Sequence, residues 1–223
     1  MAIPMTLPVL AFALALVLGA GSAASGQPDA ASRDVIRGFT VSDISGDPTR
    51  PRRHFRIKNP KFLDATEAEA IYQRLRGRMA AGYVLSGRRV YSGWKRYNRA
   101  PYISATHGRR YVNNYANARG AAYGRFEEAG RLPVGSIIAK DSFSVTEDGA
   151  INPGPLFLME KMAKGFNYTS GDWRYSEIMP DGSVLGVTRG VNAAAVEYCI
   201  GCHLAVESQD HLYFPPPAMR VGK

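Results

Sequence analysis

The sequence predicts an α+β fold, an antiparallel β-sheet with flanking helices, on three observations. Residues 66–82 hold Ala68, Ile71, Tyr72, Leu75 and Met79 at the spacing of one helical face. Tyr111 to Tyr115 and Ser136 to Phe143 alternate in the manner of strands. Pro180-Asp181-Gly182 between Asp172–Tyr175 and Ser183–Val187 is the signature of a hairpin turn.

Taken in order, residues 1–24 carry no charged side chain, contain the apolar run Leu7 to Leu18, and end in small residues. They are expected to be a secretory signal peptide cleaved near Ala24, with a retained N-terminal anchor as the alternative because the n-region lacks Lys or Arg. No second segment is long and apolar enough to span a bilayer, so no transmembrane span is expected after cleavage. Residues 25–61 are rich in Gly, Pro, Asp and Arg, with Arg50-Pro51-Arg52-Arg53 and Asn59-Pro60 as breakers. They read as an extended arm, with order beginning near Phe62. Thr66 and Glu69 form the expected capping box of the amphipathic helix, which ends at Gly82. Ala116 to Ala129 reads as a short helix. Pro155 is expected to open another through Leu156, Phe157, Met159 and Met162, closed by Gly165. Asn192 to Cys202 is the last helix. The expected division is 1–24 signal peptide, 25–93 basic arm and helix, and 94–223 a single domain.

The formal charge is +9, and it is uneven: residues 25–100 carry sixteen Lys or Arg against seven Asp or Glu, whereas 101–223 carry twelve of each. A solvated basic face, an acidic redox partner or an anionic lipid surface would each suit that asymmetry. Nothing points to nucleic acid, from which secretion would remove the chain.

The chemistry is concentrated in Cys199-Ile200-Gly201-Cys202-His203. C-x-x-C-H is a covalent haem c site: two thiols three positions apart on a helical turn can add to the two vinyl groups, and the next residue sets an imidazole under the iron. Zinc would need more ligands than the only two cysteines supply, and a thioredoxin-like use would need a βαβ context. One covalent haem c is therefore expected on the C-terminal helix, attached through Cys199 and Cys202 with His203 as axial iron ligand. Because such attachment takes place outside the bacterial cytoplasm, the expected location is the periplasm. Only Met219 follows His203, and Met159, Met162 and Met179 read as core residues. His54, His107 and His211, weighed as second axial ligands, read as surface or hydrogen-bonding histidines.

From Trp94 to Pro215 the order of short motifs resembles the cytochrome P-460 family, whose relatives include the NO-binding cytochromes c′-beta. The motifs are Pro133-Val134-Gly135-Ser136-Ile137-Ile138-Ala139-Lys140, Gly171-Asp172-Trp173-Arg174-Tyr175, the C-x-x-C-H stretch, and Asp210-His211-Leu212-Tyr213-Phe214. The resemblance implies an antiparallel β fold, a homodimer, and a high-spin haem c with an open distal face. It also implies a lysine bonded to the haem rim, at the place held here by Lys140. Arg109 and Arg110 lie near a family arginine without aligning cleanly, and Asp141, Glu160, Glu177 and Glu197 are the acids available as a distal proton relay. The implied activity is oxidation of hydroxylamine to NO-level products or nitrous oxide, with electrons passed to a redox partner. The alternative is a non-catalytic NO-binding protein, and the third reading is an electron-transfer cytochrome c.

Overall fold

The computed structural model describes residues 53–84 and 91–221. The expected signal peptide and most of the arm lie outside the described residues. Within them, no helix is long and apolar enough to cross a membrane.

The α+β expectation holds. Eight strands form one antiparallel sheet: β1 (Lys95–Arg96), β2 (Tyr102–Ser104), β3 (Arg110–Ala116), β4 (Ile137–Val145), β5 (Ile151–Pro153), β6 (Leu156–Lys161), β7 (Trp173–Ile178) and β8 (Val184–Val187). Their order is β1-β3-β4-β6-β7-β8, with β2 also on β3 and β5 also on β4. Side chains alternate across a strand, so the sheet separates two cores. Tyr111, Tyr115, Ala139, Phe143, Leu156 and Ile178 face helix α1 (Ala65–Val84), which buries Ala68, Ile71, Tyr72, Leu75, Met79 and Tyr83 against them. Ala116, Ile138, Met159, Trp173 and Tyr175 face the other way, toward helix α2 (Glu197–Leu204) and its Tyr198 and Cys199.

Five local expectations are corrected. The capping box of α1 is made by Asp64 and Glu67: Asp64 Oδ1 accepts from the amides of Thr66 and Glu67 at 2.8 Å each, and Glu67 accepts from the Asp64 amide. Glu69 instead pairs with Arg96 at 2.9 Å. The helix also runs through Gly82 to Val84, because packing of Tyr83 outweighs the modest propensity cost of one glycine. Residues 118–128 form 3₁₀ turns broken at Phe126, whose φ is 55°.

The stretch opened by Pro155 is β6, hydrogen-bonded on one side to β4 and on the other to β7. Both of its faces are covered, which puts apolar residues at successive positions and hides the period of two. Finally, order does not wait for Phe62, which is itself exposed. Residues 53–61 lie along the sheet rim, tied by Ile57 N–H to the Gly108 carbonyl (2.9 Å) and Lys61 N–H to the Val145 carbonyl (2.8 Å).

Candidate haem site

Helix α2 carries Cys199, Cys202 and His203. Positions 199, 202 and 203 are three and four apart and therefore share a helical face. Both thiols are free, Cys199 buried and Cys202 exposed. His203 is buried, and its Nδ1 donates to the His211 carbonyl at 2.7 Å. A carbonyl only accepts, so Nδ1 holds the ring proton and Nε2 is left as a bare donor atom for a metal. Burial, helped by the nearby Lys140, pushes the His203 pKa down to about 3, which keeps the ring neutral.

The carbonyl that orients His203 is itself fixed by a tight turn. Asp210 and His211 sit in the left-handed region, with φ of 56° and 61°. Asp210 is pinned there on three sides: its carboxylate takes the Lys161 ammonium and the Leu132 amide, and its carbonyl takes the Trp173 indole N–H at 2.8 Å. Tyr175 and Tyr213 flank the His203 ring, each with centroids 5.1 Å away.

Across from the helix, a cleft is walled by His54, His107, Ile138, Lys140, Phe157 and Met159, with Cys199 and His203 on its floor. Lys140 lies mid-strand on β4, paired with Asn114 and Phe157. Alternation puts it on the Ile138 face, as the sequence indicates. Its amine has no hydrogen bond or ion pair among the described residues, and approaches the Tyr213 ring at 5.9 Å. Burial lowers its pKa to about 8. An appreciable neutral fraction, with a free lone pair, therefore exists near neutral pH.

A family model for cytochrome P460 matches residues 91–214, more than half of the chain. The chain belongs to the cytochrome P460 family. None of the curated proteins matches it significantly. Membership makes this a haem protein with iron as its metal. The donor set fits that group: Cys199 and the bare imidazole nitrogen of His203 border a partly apolar cleft, and Cys202, also unpaired, lies one turn along the same helix.

The cytochrome P460 framework also shows where the other candidates lie. Of the four acids, Glu177 alone contacts a residue of the cleft wall: buried behind it, it accepts from the Tyr198 hydroxyl at 2.6 Å and lies 3.5 Å from His54 Nδ1. Burial by itself raises its pKa, but the contacts from His54, Tyr198 and Arg110 outweigh that and hold it below the usual range, so it remains a carboxylate. Asp141 is buried on the opposite face, held by Tyr72 and Tyr91 (2.7 Å each) and Asn113 (3.0 Å). Burial raises its pKa. Glu160 pairs with Arg174, and Glu197 is exposed on α2.

Arg110 is the inward member of its pair, donating to the Phe55 carbonyl at 2.6 Å, whereas Arg109 reaches the Lys58 carbonyl at the surface. His54 and His107 are the hydrogen-bonding histidines of the expectation, to Tyr198 and Ser104, rather than surface ones. Their rings stack in the cleft at 5.0 Å, and both meet Phe157. His211 contributes through its backbone. Of the methionines, Met159 lines the cleft, while Met179 borders a separate cavity and Met219 sits in a C-terminal 3₁₀ turn. No local signal in the arm sequence could have placed His54 here, because its neighbours in the fold are about fifty to one hundred and forty residues away.

Proposed function

We propose that this cytochrome P460 family member carries one covalent haem c, joined to Cys199 and Cys202 with His203 as proximal ligand, and oxidises hydroxylamine at an open ferric site. The observation that carries the reading is the buried, unpaired Lys140 amine, which faces the same cleft as Cys199 and His203. When bound, the haem supplies the electron-accepting iron and a coordination position for the substrate nitrogen. The chain does the rest. His203 Nε2, oriented by the His211 carbonyl, holds the proximal side. Lys140, bonded to the haem rim, tunes the macrocycle. Each electron removed from hydroxylamine leaves with a proton, so turnover to NO-level products or nitrous oxide needs polar acceptors at the cleft and an external redox partner. The charged Glu177 and its neighbours meet the first need.

The test is to digest the haem-loaded protein and look for one haem joined to both the Cys199–Cys202 peptide and the Lys140 peptide. Lys140→Leu should lose the red-shifted absorption and the hydroxylamine turnover while keeping the thioether haem. A free, modifiable Lys140 amine with an ordinary haem c spectrum would overturn the enzyme reading. It would favour the NO-binding alternative, which the apolar wall of Ile138, Phe157 and Met159 supports. The same proposal places the protein in the periplasm as a homodimer. Periplasmic protein beginning near residue 25 by mass, sedimenting as a dimer, is the expected result.

A further inference from the structure

Residues 53–61 lie outside the stretch that matches the family, yet they deliver an imidazole into its cleft. The delivery is well anchored. Besides the Ile57 and Lys61 backbone bonds, Arg109 and Arg110 each donate to a carbonyl of this strap, at Lys58 and Phe55. The protonation of His54 then follows from its partners. The Tyr198 hydroxyl donates to Glu177 at 2.6 Å, so at 2.8 Å from His54 it can only accept, and Nδ1 must carry the hydrogen. Nε2 is left with its lone pair.

We propose that His54 is the proton acceptor of the haem cleft, a base that this chain supplies from its N-terminal strap and backs with a Tyr198–Glu177 relay. The inference rests on haem attachment at Cys199, Cys202 and His203, but not on hydroxylamine as substrate. When a protic ligand binds ferric iron, its bond to hydrogen breaks, the electron pair stays with the ligand atom that coordinates, and the proton passes to Nε2. A positive charge formed there is compensated by Glu177 through Tyr198. His107 stacks on the ring, Lys140 and His203 line the same cleft, and Arg110 acts electrostatically on Glu177 behind it. His107 is the poorer base, since burial lowers its pKa well below the ordinary value and its Nδ1 is engaged by Ser104 at 2.9 Å.

Hydrogen cyanide and NO separate this role from a structural one, because the first must lose a proton to bind ferric haem and the second has none to lose. In stopped-flow measurements on the full haem-loaded chain, His54→Ala should slow cyanide association about 100-fold, the usual scale of general-base assistance. NO association should not fall, and added imidazole should restore the cyanide rate. Should His54→Ala fail to load haem, Glu177→Gln serves, with the same selective loss expected. Unchanged cyanide association would overturn the proposal, as would cyanide and NO slowing together, or a low-spin bis-histidine spectrum abolished by His54→Ala. Absence of hydroxylamine turnover beside an intact cyanide effect would defeat the proposed activity alone.

Discussion

Lys161→Met tests whether the turn that holds the proximal histidine is an energetic keystone. In the native chain the Lys161 ammonium is buried against the Asp210 carboxylate, donates also to the Gly171 carbonyl at 2.8 Å, and lies 4.8 Å from the Trp173 ring. Methionine fills the same volume without charge, leaving Asp210 with the Leu132 amide and an exposed Arg131 at 3.9 Å. Removing one partner of a buried pair costs about 3–5 kcal/mol. For a folded region of this size, at about 2–4 °C per kcal/mol, the midpoint should drop by about 6–20 °C. Thermal unfolding of the haem-loaded variant gives the first number. The iron–histidine stretch in resonance Raman gives the second readout, since a loosened turn displaces the His211 carbonyl and weakens its bond to His203. Lys161→Met with Asp210→Asn removes both charges and should recover much of the loss. A cost below about 1 kcal/mol, the range of exposed pairs, would refute the argument. So would a double variant no better than the single one.

Three further outcomes are expected. Replacing Cys199 and Cys202 with Ser should abolish haem staining after denaturing electrophoresis, which thioether attachment would otherwise survive. Glu177 has a folded pKa below its ordinary 4.5, so the stability it contributes is complete above that value and disappears as pH falls through the lowered one. The difference in urea midpoint between wild type and Glu177→Gln should accordingly shrink on acidification through this window, and a constant difference would contradict the assignment. Asp141→Leu strands the Tyr91 hydroxyl and the Asn113 amide in the core, while Tyr72 keeps its bond to the Tyr115 hydroxyl, at about 1–3 kcal/mol for each group left without a partner. Asp141→Asn should cost less because it retains an acceptor, and urea unfolding of the two variants compares them.

The sequence by itself determined what depends on near neighbours. C-x-x-C-H specifies its own geometry, because one helical turn brings positions 199, 202 and 203 together. Alternation in Ile137–Val145 is enough to put Lys140 opposite Asp141, and the apolar stripe of α1 is readable residue by residue. Tertiary structure decided wherever a residue's meaning comes from a distant partner. Asp64 displaced Thr66 as the cap because Glu69 had Arg96 to pair with. Leu156–Lys161 became a strand because β4 and β7 cover its two edges. The same reason hid the site's polar half: Glu177, Tyr198 and His54 are unremarkable letters until a sheet, a helix and an N-terminal strap bring them within hydrogen-bonding reach. Closing such long loops is settled by the burial of the whole fold, which no local pattern encodes.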